Sequence, residues 1–217
     1  MVVTKAHRQS NGQIGLWLGF MVSIILFAGV WLLVADHGPD DVPAIDAELA
    51  DAAAKSVSDG ATAVWKGVAG FGGAAAIVGL TLALTVVAAW FAGWRTSLWL
   101  PAAVGAAYVI NTLLKNAISR PRPDAAWGIE ADGFGFPSAN ATLAVTLYIL
   151  FAVMAARSQR LHPALKLVIA AAAVLASAAT SWSRLYFGVH YATDIAAGIA
   201  VGAAVAFAAA AFSRKRT

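Results

Sequence analysis

The sequence predicts an all-α integral membrane protein with six transmembrane helices and one amphipathic helix at the interface. Three observations carry this expectation. Of the 217 residues, 60% are hydrophobic and 12% charged, and the mean hydropathy is +0.74; a soluble domain carries about 25% charged residues. The apolar residues gather into six stretches close to the ~20 residues a helix needs to cross a bilayer. The charges lie between those stretches and are sorted by sign. This composition excludes a disordered chain. Six spans leave room for one transmembrane domain over residues 1–217 and for no second, soluble one. There are no cysteines, so disulfides and thiolate-held metals are excluded.

The first span covers residues 14–34. Lys5 and Arg8 precede it, as basic residues precede a signal peptide. Its length exceeds the usual signal core of about 7–15 residues, so an uncleaved first helix is expected. Residues 35–71 form the longest connection. Ile45, Leu49, Ala52, Ala53 and Val57 recur there at helical spacing, with Asp46, Glu48, Asp51 and Lys55 between them. The pattern reads as one amphipathic helix along the outer interface, with Trp65 anchoring its end.

The next spans cover residues 72–91, 98–114, 139–156, 165–181 and 191–212. Alanine and glycine dominate the later ones, which suits close helix–helix approach. Gly15 and Gly19 form a small-xxx-small pair in the first. The other tryptophans (Trp17, Trp31, Trp90, Trp94, Trp99, Trp127 and Trp182) fall mostly near span ends, as an aromatic belt requires. No internal repeat or low-complexity linker is visible.

Six spans place both termini and two loops on one side. That side holds Lys5, Arg8, Arg95, Arg157, Arg160, Lys166, Arg214, Lys215 and Arg216 and no acidic residue. The other six basic residues and all 11 acidic ones lie opposite. The positive-inside rule makes both termini cytoplasmic. The pI of 9.6 then follows from this bias rather than from a nucleic-acid groove. The terminal Arg214, Lys215 and Arg216 suit anionic lipid heads.

Three clusters carry chemistry, all at span ends on the outer side. Residues 115–123 read KNAISRPRP. Pro121 and Pro123 hold the backbone extended, and Lys115, Arg120 and Arg122 crowd into eight residues. A charged helix flank accounts for them, but basic residues on the disfavoured side also suit an anionic ligand. Lysine offers a point charge and arginine a bidentate fork, both matched to phosphate. Residues 135–142 read GFPSANAT, a helix start with Ser138 as N-cap. The free N–H groups of such a start attract anions; simple capping explains the serine equally. Residues 183–194 read SRLYFGVHYATD. His190 and Asp194 stand one helical turn apart, and Arg184 lies six residues before the histidine, in the expected loop. A helix-start ion pair is one reading. The other is a carboxylate that fixes the imidazole tautomer and leaves the second nitrogen as nucleophile or base. No carboxylate cluster is placed to hold a metal, so phosphate charge would fall to side chains and N–H groups.

In these residues the chain resembles the type 2 phosphatidic acid phosphatase family of membrane lipid phosphatases. Lysine, six residues, then arginine–proline matches Lys115, Arg122 and Pro123. Serine–arginine, five residues, histidine, three residues, aspartate matches Ser183, Arg184, His190 and Asp194. Six spans with an outward site match as well, so the likeness covers nearly the whole chain. The resemblance implies that Lys115, Arg122 and Arg184 hold phosphate, with Ser138 and nearby backbone N–H groups, including that of Ala139. It implies that His190 attacks phosphorus to form a phosphohistidine, that Asp194 orients His190, and that no cofactor or metal takes part.

The middle motif departs from the family. Its proline–serine–glycine–histidine stands here as Pro137, Ser138, Ala139 and Asn140. The family histidine protonates the leaving group, and an amide cannot. General acid catalysis is worth about 10²–10⁴-fold. An alkoxide leaving group, with a pKa in the mid-teens like water at ~15.7, needs that proton. A phosphate leaving group, with a second pKa near ~6, departs without it. Asn140 therefore favours diphosphate substrates. Ala139 is harmless unless its φ is positive. His37, on the outer side, is a weak substitute acid, and His7 and His162 are expected at the cytoplasmic surface.

The expected protein is a plasma-membrane lipid phosphatase with an extracytoplasmic site. Its expected substrate is a polyprenyl diphosphate such as undecaprenyl diphosphate, the lipid carrier recycled in bacterial cell-wall synthesis, entering from the surrounding membrane lipids. Phosphatidic acid and phosphatidylglycerophosphate are the rival substrates. A phospholipid-binding protein disabled by Asn140 is the rival class. A transporter fits less well, because no charged residue stands near mid-span.

Overall fold

The computed structural model describes residues 2–37, 41–124 and 126–213, with side-chain surroundings from Gly12 onward except at Ala74. The described residues are all helical or irregular. In chain order the helices are α1 (Val2–Ala35), α2 (Ala44–Lys55), α3 (Asp59–Phe71), α4 (Ala74–Ala92), α5 (Trp94–Ser97), α6 (Trp99–Ile118), α7 (Ala139–Arg157), α8 (Pro163–Tyr186) and α9 (Ala192–Phe212). Six stretches within α1, α4, α5–α6, α7, α8 and α9 are long and apolar enough to cross a membrane. The fold is that of a multi-span membrane protein, as the hydropathy predicts.

Two boundaries differ from the sequence expectation in ways that matter for the site. The connection 35–71 forms two helices instead of one. They part at Ser58, which has extended backbone and whose side chain accepts from the Ala61 N–H; this N-cap starts a new helix where the apolar periodicity runs on. Helix α8 runs to Tyr186, so Ser183 and Arg184 ride its last turn and not a loop. Polar residues extend the helix because they are buried in protein and bonded locally: the Ser183 hydroxyl donates to the Thr180 carbonyl at 2.7 Å.

Helix α9 lies at the centre, packed against α7 on one side and α1 on the other. Gly198 and Gly202 set the first contact. A Cβ at these positions would lie 2.6 Å from the Ser138 carbonyl oxygen and 2.5 Å from that of Thr142, so the two backbones touch where only glycine fits. Thr146 crosses the same seam, donating to Gly202 O at 3.2 Å. Of the Gly15 and Gly19 pair, Gly19 alone meets a neighbour, the Phe207 ring. Leu16 joins the main core and Trp17 packs against it, so α1 is part of the bundle.

At the end opposite the site, Arg157 donates to Ala210 O at 2.6 Å, Ser158 to Phe91 O at 3.0 Å and Arg160 to Trp90 O. The tryptophans divide. Trp31, Trp90 and Trp94 are exposed near span ends. Trp65, Trp127 and Trp182 instead cluster with Tyr186 and Phe187, so α3 and the loop around Trp127 are sealed onto the end of α8. The Tyr186 hydroxyl pairs with Thr62 Oγ1 at 2.9 Å across the same seal. The side chains of Lys5, His7 and Arg8, and residues Arg214, Lys215 and Arg216, lie outside the described residues.

Candidate active site

Four helix ends converge at one end of the bundle. Lys115 lies on the last turn of α6. Ser119 closes that helix with left-handed backbone at φ 52°, and the chain turns into the extended, proline-locked 120–123 segment. A loop returns through Gly135, whose N–H donates to Arg120 O at 2.8 Å. A Cβ on Gly135 would sit 3.0 Å from Asp194 Oδ2, so the loop presses directly on that carboxylate. Ser138 precedes α7, and its N–H donates to Asp194 O at 2.9 Å. Arg184 ends α8, and His190 closes the turn into α9. Asn111, buried in α6, donates to Pro137 O at 3.2 Å and Thr142 Oγ1 at 3.0 Å, pinning the start of α7 against α6.

Backbone carbonyls hold the three cations. Lys115 Nζ donates to Phe134 O. Arg122 donates to Gly133 O at 2.9 Å, Asp132 O at 2.8 Å and Val189 O at 2.7 Å. Arg184 Nη2 donates to Ala69 O at 3.0 Å. Carbonyls fix these side chains without cancelling their charge. Among the described residues, Lys115, Arg122 and Arg184 form no ion pair with a carboxylate. Among the described residues, the buried side-chain atoms without a hydrogen-bond partner are Ser138 Oγ, Ser181 Oγ, Arg184 Nε and His190 Nδ1, the last 3.4 Å from Asp194 Oδ2. Leaving such atoms unpaired costs about 1–3 kcal/mol each. The arrangement is a concentrated set of donors and positive charge suited to a phosphoryl group.

His190 is 3% exposed. Its Nε2 faces Arg122 Nη1 at 3.1 Å and its Nδ1 faces Asp194 Oδ2 at 3.4 Å. A guanidinium only donates, so Nε2 is the unprotonated acceptor and Nδ1 carries the hydrogen toward Asp194. Burial pulls the imidazole down to about 4, against the opposing hydrogen bond and charge of Asp194 and with the help of Arg122 and Lys115. The ring is neutral at physiological pH, with Nε2 turned toward Arg122. Burial also lowers Arg122 from its ordinary value, while Asp194 and Asp132 pull it back.

The structure thus brings together Lys115, Arg122, Ser138, Arg184, His190 and Asp194. Three expectations change. Ser138 stands at the N-cap position of α7, but its hydroxyl caps nothing; the Thr142 N–H bonds to the Ser138 carbonyl in the ordinary helical way instead. Asn140 turns its amide to the Gly72 carbonyl and braces the α3–α4 junction. His37 bonds Leu33 O at 2.8 Å and lines a cavity shared with Arg120 and Tyr191, outside the set of groups gathered around His190. Ala139 is helical and needs no positive φ. His162 caps α8, accepting from Ala164 N at 3.3 Å.

Sequence reasoning grouped Arg120 with the anion-binding cations and missed Asp46 altogether. Arg120 Nη1 donates to Asp194 Oδ1 at 2.7 Å, and its Nη2 donates to Asp46 Oδ2 at 2.9 Å. Asp46, on α2, is 0% exposed. Arg120 carried a signal in its motif position; Asp46 carried none, since its neighbours place it on the polar face of an interfacial helix.

Two cavities flank the bundle beneath the site. One of about 690 Å³ is walled by Phe27, Trp31, Val34, Leu114 and Ile118 and roofed by Arg120 and Tyr191. A second, of about 550 Å³, continues along α1, α6 and α9, and Phe27 and Leu114 line both.

A family model described as the PAP2 superfamily matches residues 96–217. Phosphatidylglycerophosphatase B of Bacillus subtilis (strain 168) is 28% identical over 107 residues, which are 49% of this chain and 53% of that protein. The match thus spans about half the length of that relative. Among solved structures, a transmembrane PAP2-type phosphatidylglycerolphosphate phosphatase from Bacillus subtilis superposes with a TM-score of 0.78 at 24% identity, covering 88% of this chain and 94% of that one. Aquifex aeolicus LpxE superposes with a TM-score of 0.63 at 19% identity, covering 78% and 97%. These likenesses show a shared fold.

Proposed function

The chain belongs to the PAP2 superfamily, and from that premise we propose that it is a membrane lipid phosphatase working through a phosphohistidine. The single observation that carries this reading is Arg122, against Nε2 of a neutral His190 and grouped with Lys115 and Arg184, none of the three ion-paired to a carboxylate among the described residues.

In the proposed reaction, three cations and Ser138 hold the phosphoryl oxygens. The His190 Nε2 lone pair forms a bond to phosphorus as the bond to the leaving oxygen breaks. Asp194 stabilises the positive ring that results. Water then attacks phosphorus, the N–P bond breaks, and inorganic phosphate is released. The charge that develops on the phosphoryl oxygens meets donors already in place, the kind of interaction that lowers barriers most.

Asn140 supplies no proton, and its amide is already committed to Gly72. The preferred substrate is therefore a lipid diphosphate, whose phosphate leaving group needs no acid, with a polyprenyl diphosphate as the favoured case. The apolar walls of the two cavities beneath Arg120 support a long lipid chain. The charge bias supports an extracytoplasmic site with cytoplasmic termini in the cell membrane.

The test is phosphate release by detergent-purified protein in EDTA, with a polyprenyl diphosphate and phosphatidic acid side by side and His190→Ala as blank. Release mainly from the diphosphate is expected. Asn140→His should then raise monophosphate turnover at least tenfold more than diphosphate turnover, within the range of one general acid. Equal gains on both lipids would sink the diphosphate preference. Release from neither lipid would sink the phosphatase reading.

A further inference from the structure

Asp46 is not one of the phosphate-facing groups, yet among the described residues no acidic side chain is more completely buried; Asp194 alone equals it. A buried carboxylate is costly unless fully bonded, and Asp46 is. Its Oδ1 accepts from Thr193 N at 2.8 Å, and its Oδ2 accepts from Thr193 Oγ1 at 2.6 Å and Arg120 Nη2 at 2.9 Å. Every donor belongs either to α9, one residue before Asp194, or to Arg120. The other arm of Arg120 grips Asp194 Oδ1 at 2.7 Å and Thr193 Oγ1 at 2.7 Å. Its plane lies 4.3 Å over the Tyr191 ring. The remaining oxygen of Asp194 accepts from Tyr191 N at 3.0 Å and faces His190 Nδ1.

This arrangement has an electrostatic consequence. Arg120 shared with Asp194 alone would cancel the charge that His190 needs when its ring becomes positive. Shared with Asp46 as well, the triad keeps one net negative charge next to the imidazole. We infer that Asp46, reaching in from the extracytoplasmic helix α2, is a positioning residue that offsets Arg120 so that Asp194 remains an effective anion for His190. The inference rests on the phosphatase reading above. Asp46 touches no phosphate ligand, so its effect belongs on kcat and not on KM. It also makes α2 part of the active machinery and not a passive cover: undocking this helix withdraws the charge.

The charged groups that face His190 are Asp194 from α9, Lys115 from α6 and Arg122 from the 120–123 segment, with Arg184 of α8 beside Arg122. Arg120 and Asp46 act through Asp194. The experiment uses Asp46→Asn, Arg120→Gln and the double variant in the full-length protein, assayed in detergent on a polyprenyl diphosphate and on phosphatidic acid. Asp46→Asn should lower kcat about 10- to 100-fold with KM within about twofold, the range of a lost charge-supporting contact. Adding Arg120→Gln restores the net charge, so the double variant should regain at least about fivefold over Asp46→Asn. A merely structural link would make the double variant no better than the single one, and that result overturns the inference. So does an unchanged kcat in Asp46→Asn.

Should Asp46→Asn fail to fold, Arg120→Gln alone carries the test. It removes the positive charge that offsets Asp194 and leaves Asp46 behind it, so the acid limb of kcat/KM should move to higher pH by about one unit; an unmoved limb overturns the inference. Wild-type hydrolysis separates the two claims. If the wild type releases no phosphate from either lipid, the functional reading itself has failed. If it does and the variants behave as the structural link requires, only the role of Asp46 has.

Discussion

The two ends of the bundle use arginine for opposite purposes. At one end Arg157 and Arg160 donate to the carbonyls of Ala210 and Trp90, in the final turns of α9 and α4. Helix C-termini carry partial negative charge, so these cations are spent on closing helices. At the other end Lys115, Arg122 and Arg184 also meet carbonyls, but these belong largely to loop residues such as Phe134, Gly133 and Asp132. Unpartnered Ser138 Oγ and Arg184 Nε stand with them. The difference teaches that a bonded arginine is not a neutralised one. What matters is whether its partner also supplies negative charge, and at the site end the arginine ion-paired to carboxylates among the described residues is Arg120, with Asp46 and Asp194.

The widest gap between the ends should appear in catalysis. Arg122→Ala removes a donor that lies against Nε2 and should cost at least about 10²–10³-fold in phosphate release. Arg160→Ala, at the opposite end, should leave the rate within about twofold. A comparable loss in both would erase the distinction.

Acid should separate the ends next. His190 is depressed by burial to about 4, against about 6.5 for an unfolded histidine. Between those values the unfolded chain binds the extra proton and the folded one does not, so stability rises with pH across that window and is lost as pH falls through it. Thermal unfolding in detergent should show this slope between about pH 6.5 and 4, and His190→Gln should flatten it.

The packing between the ends offers a smaller effect. Gly202→Val forces side-chain atoms into the Thr142 carbonyl, 2.5 Å from the Cβ position, and should destabilise by about 1–3 kcal/mol or more, read as a lower Tm. The smallest effect has the opposite sign. Gly15 on α1 has nothing within 4 Å of its Cβ position. Gly15→Ala should raise stability by roughly 0.5–1 kcal/mol, the helix propensity difference, with unchanged activity.

Most of the site was legible before folding was considered. Lys115, Arg122, Arg184, His190 and Asp194 stand at fixed spacings, and the structure gathers them at one end. Ser138 was placed correctly at the head of α7, but its hydroxyl was assigned a capping bond that it does not make. Asn140 was legible as a departure, whereas its bond to Gly72 was not, because Gly72 lies 68 residues away. Arg184 was expected in a loop because span ends were judged by hydropathy. Polar residues buried against protein extend a helix past the point where hydropathy falls.

The sequence by itself determined the class of protein, the spans, the charge bias and the cationic motif residues. Each is a property of single residues or short windows: apolar length matches a bilayer, and Pro121 and Pro123 break a helix wherever they stand. Only the tertiary structure decided what each charge faces. Asp46 looked like a solvated residue on a polar helix face, and became a buried partner of Arg120 and Thr193, 74 and 147 residues distant. The physical reason is that desolvation and pairing energies depend on which distant groups arrive to replace water, and no local pattern encodes that arrival.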